Sequence, residues 1–235
     1  MEYTDFSEVE IAQLHAQRIV LFANRVIFDA QPPMTSAEIS SVQDLVGGKL
    51  PEALITLWKL TSGGRLDYDL SVSMNGRKEA ISWCELFYDG SNGYRDLTEW
   101  IEYERELAEE SADDRQEVWD GKLIALPFGG FEYCDRIYIV VAPEAEDYGQ
   151  VLAWKMGLPP AWTGAMHEDG IGLVGTDLYA AFRALRYEAE PLEPTNEHFT
   201  GCELFDFLSD RKEKHGMSAT LADKLIAFYR DAFTH

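Results

Sequence analysis

The chain has 235 residues, 46% of them apolar, which is enough to bury a core in one large or two small domains. Twenty Lys and Arg face 42 Asp and Glu, and the resulting net charge of −22 repels phosphate backbones and anionic lipid, which argues against direct nucleic-acid or acidic-membrane binding. No run approaches the roughly 20 apolar residues of a bilayer span, and Met1-Glu2-Tyr3-Thr4-Asp5 is acidic where a signal peptide is basic, so the cytoplasm is the expected compartment.

In chain order, Ser7 and Glu10 have capping-box spacing, and Val9, Ile11, Leu14, Ile19, Phe22, Val26 and Ile27 predict one helix running to about Phe28. After Gln31-Pro32-Pro33, Thr35 and Glu38 repeat the box ahead of Ile39, Val42, Leu45 and Val46, and Gly47-Gly48 stops that helix. Pro51 suits the first turn of a third, bearing Leu54, Ile55, Leu57 and Trp58 and ending at Gly63-Gly64. From Leu66 to Tyr88 the pattern is short and mixed, with Asn75-Gly76 as a tight turn between extended segments.

Asp96 and Glu99 cap a further helix over residues 96–110, with Leu97, Trp100, Ile101, Leu107 and Ala108 along it and a heavily acidic outer face. Three strands follow at Leu123–Leu126, Arg136–Ala142 and Gln150–Lys155; their Gly- and Glu-rich connections suit antiparallel pairing. Leu178, Phe182 and Leu185 stripe a helix, residues 188–198 read as a linker, and Thr200 with Glu203 caps a helix bearing Leu204, Phe205 and Leu208. Leu221, Leu225 and Phe228 mark the last helix after Gly216. The expected fold is α+β, with helices packed on a mainly antiparallel sheet and a helical C-terminal extension. Residues 1–190 form the main domain with an extra N-terminal helix, and residues 191–235 form a linker and helices packed on it.

Candidate chemistry is sparse. Gly170-Ile171-Gly172-Leu173-Val174-Gly175 has the GxGxxG form of a dinucleotide cradle but lacks a preceding strand and any parallel βαβ alternation, so a flexible loop leading into a helix is preferred. His167-Glu168-Asp169 offers ligand types on three adjacent residues, which reads better as a solvated loop. Cys84, Cys134 and Cys202 are isolated and lack CxxC spacing, so reduced thiols are expected. Cys134 is read as a buried core or sheet thiol rather than a nucleophile paired with His167. No catalytic residue, cofactor or metal is therefore assigned.

Residues 95–120 hold eleven acids and three Arg. A solvated face is the plain reading of such a run. The aromatics within it point further: Trp100, Tyr103 and Trp119 would anchor a partner amid Glu102, Glu106, Glu109 and Glu110, although Trp100 also fits the core. Trp154, Trp162 and the prolines at 159 and 160 form a second aromatic cluster, an interaction edge or a lid over the sheet.

The succession of pieces resembles the SUKH superfamily, which includes fungal cell-wall-assembly regulators and many bacterial toxin-immunity proteins. It is carried by Thr35-Ser36-Ala37-Glu38-Ile39, Lys49-Leu50-Pro51-Glu52, Leu60-Thr61-Ser62-Gly63-Gly64, Leu126-Pro127-Phe128-Gly129-Gly130, Gly149-Gln150-Val151-Leu152-Ala153-Trp154 and Leu178-Tyr179-Ala180-Ala181-Phe182, over roughly residues 30–187. The resemblance implies a non-catalytic binding domain: an immunity-type protein that neutralises a cognate toxin, for which a basic nuclease suits the charge, or a regulatory scaffold of the fungal type. A nucleotide-binding enzyme using residues 170–175 is the third and weakest alternative. In this pattern Pro51 starts a helix, Gly63 and Gly64 give it a left-handed exit, and Gly129-Gly130 makes a sharp turn into the sheet.

Overall fold

The computed structural model describes residues 5–74, 76–91, 96–132, 134–155, 170–187 and 201–231. Helix α1 (Glu8–Ala16) starts at the predicted capping box, where the Ser7 side chain accepts from the Glu10 N–H. It stops far short of Phe28. Strands β1 (Ile19–Phe22) and β2 (Arg25–Phe28) follow as an antiparallel hairpin. Both strands are buried along their whole length, so their run of apolar residues carries no alternation and imitates a helical stripe. Ala23 and Asn24 turn the hairpin with φ of 48° and 61°, the left-handed pair that matches strand twist, and Arg18 at 62° has already broken the helix.

Helix α2 (Ser36–Val46) agrees with the reading at both ends, with Thr35 and Glu38 in a reciprocal capping box and Gly47 left-handed at φ 65°. Pro51 opens α3 (Glu52–Trp58), which ends before Gly63-Gly64. Those glycines are not its exit. Gly64 lies in β3 (Gly64–Arg65), between β2 and β6 (Glu85–Leu86), where a Cβ would stand 2.7 Å from Ile27 Cγ2. At Gly63 it would stand 2.8 Å from the Leu86 carbonyl oxygen. Both serve close strand approach. Gly64→Val is accordingly expected to lower stability by about 1–3 kcal/mol through overpacking, seen as a lower urea midpoint; an unchanged midpoint would mean that β2 yields freely.

Strands β4 (Leu70–Met74) and β5 (Arg77–Ile81) form a separate two-stranded sheet. The eight-stranded sheet runs β1-β2-β3-β6-β7-β8-β9-β10, with every pairing antiparallel, so the α+β expectation holds. Strand β7 is Ala125–Phe131, later and longer than predicted, and Gly129-Gly130 lies inside it rather than at a turn before it. A Cβ on Gly129 would be 2.5 Å from Trp83 Nε1, and one on Gly130 would be 2.1 Å from the Asp135 carbonyl oxygen, so the missing side chains make room for Trp83 and β8. Strands β8 (Asp135–Val140) and β9 (Val151–Lys155) alternate as read: Ile137, Ile139, Val151 and Ala153 enter the core while Arg136, Tyr138, Leu152 and Trp154 take the other face.

The glycine motif is strand β10 (Ile171–Gly175), antiparallel to β9, and not a loop. A Cβ on Gly172 would meet Val72 Cγ1 at 2.5 Å, and one on Gly175 the Ala181 nitrogen at 2.4 Å, so these glycines admit β4 and the next helix, α5 (Leu178–Ala184). The start of α5 is closed by Asp177, whose carboxylate accepts from the Ala180 N–H at 2.7 Å. Nothing there resembles a phosphate cradle. Helix α5 packs on the inner face, Phe182 meeting Phe22 and Trp83 edge-on at 4.8 and 5.1 Å. Buried Arg25 donates to the Leu185 and Arg183 carbonyls at its C-terminal end.

Helices α6 (Cys202–Lys214) and α7 (Ala219–Arg230) complete the described chain, and Leu204, Leu208, Leu221, Leu225 and Tyr229 join the same core. The N-cap of α6 is Gly201, not Thr200, which with the expected linker lies outside the described residues. Gly201 has no side chain to cap with. Its place is taken from across the fold by Asp67, which accepts from the Leu204 N–H at 3.1 Å, while the Tyr229 hydroxyl donates to the Asp67 carbonyl.

Candidate interaction surface

Helix α4 (Leu97–Asp114) lies against β7, on the face of the sheet opposite α5. Asp96 caps it, accepting from the Glu99 N–H at 2.9 Å, and Leu97, Trp100, Ile101 and Ala112 bury its inner side. The outward side carries Glu99, Glu102, Glu106, Glu109, Glu110, Asp113 and Asp114, all exposed. Many of these stand three or four residues apart, where like charges disfavour a helix, and Asp113 and Asp114 sit unfavourably at its negative end. Arg105, the one base in the helix, does not offset them. Its guanidinium turns to the Leu45 and Gly121 carbonyls and lies 4.9 Å from the Trp119 ring centroid. The acidic face is left uncompensated and carried at some expense to helix stability.

Where α4 meets the sheet, Arg136 forms a second feature. It is only 8% exposed. Its guanidinium carbon lies 4.2 Å from the Trp100 ring centroid, 4.6 Å from that of Trp154 and 5.8 Å from that of Tyr103. Its Nη1 donates to Glu104 Oε1 at 3.1 Å and to the Tyr138 hydroxyl at 3.3 Å; that hydroxyl donates in turn to Glu104 Oε1 at 2.8 Å. Burial, with the Glu104 charge second, raises the Tyr138 pKa and keeps the phenol protonated. Above this network runs a groove of about 450 Å³, lined chiefly by Tyr103, Leu107, Tyr138, Leu152, Trp154 and Ile171. An apolar floor beside a row of carboxylates can hold a mixed apolar and basic protein surface.

The residues singled out from sequence separate into three places. Glu102, Glu106, Glu109 and Glu110 share the open face, and Tyr103 lines the groove. Trp100 is 1% exposed, stacked on Phe87 and supporting Arg136 from beneath, so it cannot itself meet a partner. Trp119 is half-buried, bonded through Nε1 to the Lys122 carbonyl at 3.0 Å. Trp154, read as a strand residue, also lines the groove. Leu50 and Pro51 are buried structural residues. Sequence reasoning missed Arg136, Glu104 and Tyr138 as a unit; alternation put Arg136 and Tyr138 on one face of their strand, and only the fold puts Glu104 above them.

Cys134 is exposed, in the turn between β7 and β8, contrary to the buried thiol expected: its N–H bonds the Phe131 carbonyl at 3.2 Å, and Glu132 turns the chain with φ 49°. His167, Glu168, Asp169 and Trp162 lie outside the described residues. The Cys84 thiol is pushed up to about 12, chiefly by burial, which leaves it protonated and unreactive. Among the described residues no group of three or more His, Cys, Asp or Glu could hold a metal ion, and no helix is long and apolar enough to cross a membrane.

An antiparallel sheet backed by helices here carries a charged helix beside an apolar groove, a combination of apolar floor and polar rim of the kind found at protein interfaces. Residues 33–183 match the SMI1 / KNR4 family (SUKH-1), and since the match covers more than half of the chain, the protein belongs to that family. No curated protein and no solved structure matches it. Membership supports a non-catalytic domain with a role in protein–protein interaction.

Proposed function

We propose that this protein is a cytoplasmic, immunity-type member of its family that binds a basic toxin, of which a nuclease is the best-fitting kind, through the acidic face of α4 and the groove beside it. The observation that carries the reading is the row of seven exposed carboxylates on α4, whose only base is turned to backbone carbonyls. Such a surface attracts a nucleic-acid-binding face, and occupying that face would block the toxin from its substrate. Family membership is equally compatible with a regulatory scaffold; a gene for a secreted protein with a basic C-terminal toxin domain beside this one favours immunity.

The test is association kinetics with that neighbouring gene product at low and moderate salt. Replacing Glu102, Glu106, Glu109 and Glu110 with Gln is expected to lower the association rate by roughly tenfold at low salt and to flatten its salt dependence, because salt screens the long-range attraction being removed. Dissociation should change less. Thermal stability should hold or rise, since the four side chains repel one another. An unaltered rate and slope would make the acidic helix a plain solvated face.

A further inference from the structure

We propose that β10 is a docking edge: an extended, lysine- or arginine-bearing segment of the protein partner adds to it as a ninth strand. The inference rests on the binding reading above and names how the partner engages. The sheet order ends at β10, and among the described residues no strand pairs with its outer side. The Lys155 N–H donates to the Gly170 carbonyl at 2.9 Å. Bonded and non-bonded pairs alternate along an antiparallel ladder, so Gly172 faces Ala153 with its hydrogen-bonding groups, and Ile171 and Leu173 direct theirs outward.

The side chains of those two residues are 48% and 50% exposed, on the face that also carries Leu152 and Trp154, and Leu107 of α4, 37% exposed, borders the same groove. Open edges are ordinarily guarded by a lysine, a proline or an inward charge. Ile171-Gly172-Leu173-Val174-Gly175 has none of these; a bulge between Leu173 and Gly175 bends only its far end and leaves Ile171 and Leu173 in regular register with β9. The opposite edge, β1, is buried throughout. Behind β10, Val72 and Met74 pack against Gly172, holding the edge in place for an incoming strand.

Charge selects the occupant. A second copy would bring two chains of net −22 together, whereas a basic segment would be drawn by the carboxylates of α4. Backbone bonding to Ile171 and Leu173 would supply register, alternate apolar side chains would cover these two residues, and long basic side chains would lean over the sheet toward α4.

The test uses the full chain, 15N-labelled, with a synthetic seven-residue peptide alternating valine and lysine, a counterpart with glutamate for lysine, and a lysine peptide N-methylated on one bonding edge. The lysine peptide is expected to slow amide exchange at Ile171 and Leu173 by roughly tenfold at saturation, while the glutamate and N-methylated peptides do not. Leu173→Lys, at an exposed position, should abolish the effect without altering the melting temperature. Should shifts appear on α4 with exchange at Ile171 and Leu173 unchanged, the strand proposal is overturned and the acidic-face reading stands. No salt-sensitive binding anywhere would overturn both. Protection accompanied by sedimentation as a dimer, or produced equally by the glutamate peptide, would also overturn the proposal.

Discussion

Arg136→Ala is expected to lower stability by about 3–5 kcal/mol, the range seen when one member of a buried ion pair is removed. The side chain fills the space between two indoles, 4.2 Å from the Trp100 centroid and 4.6 Å from that of Trp154, so truncation opens a void and forfeits both cation–π contacts. It also strands the Glu104 carboxylate, 18% exposed at its side chain, with the Tyr138 hydroxyl as its remaining partner in the network. Glu104→Gln should cost less, because an amide oxygen still accepts from both Arg136 and Tyr138 and the guanidinium keeps its contacts with both indoles, so only the charge of the carboxylate opposite Arg136 is lost. Urea unfolding of the two variants separates the effects, and near-UV circular dichroism reports the indoles directly. A loss below about 1 kcal/mol for Arg136→Ala would mean that water enters the site and replaces the guanidinium.

Trp83→Ala is expected to cost about 3–5 kcal/mol, as for other large aromatic truncations in a core. Trp83 is fully buried, edge-on to Phe128 at 5.6 Å and to Phe182 at 5.1 Å, so it joins β7 to the helix on the inner face. Its Nε1 makes no hydrogen bond among the described residues, so Trp83→Phe forfeits volume but no bond and should cost only about 1–2 kcal/mol. The glycine across from it supplies a sharper check. Gly129→Ala is obstructed in the native protein by Trp83 Nε1 at 2.5 Å and by the Glu85 carbonyl oxygen at 2.7 Å, so it should destabilise it, and the Trp83→Ala background relieves the first of these two clashes but not the second. The double-mutant cycle should therefore show coupling of about 1 kcal/mol or more, and additive losses would disprove this account of Gly129.

What could be read from the sequence follows from which signals are local. The box at Thr35 and Glu38, Gly47 as a stop and the alternation through Ile137 and Ile139 are properties of neighbouring residues, and each appears in the fold as read. The hairpin after α1 was hidden because a strand buried on both faces loses its period of two, and Ala23-Asn24 is not a strong turn dipeptide. The glycines misled for a related reason. At positions 64, 129, 130, 172 and 175 the deciding fact is another segment's proximity, which local spacing does not carry. Of the candidate site, the acidic face was legible as charge; the Arg136 network was not, since its members come from two elements 32 residues apart.

The cap that Asp67 places on α6 has a bearing on the order of synthesis. That hydrogen bond spans 137 residues of chain, the Tyr229 bond to the same residue spans 162, and the Lys224 contact with Glu10 spans 214. A nascent chain with the whole sheet already outside the ribosome still lacks the side chains that close over Asp67 and Tyr68. The final packing of the segment between β3 and β4 must wait for residue 229 to be made. Closing such long loops early is entropically unfavourable, which makes docking of the last two helices a late and slow event.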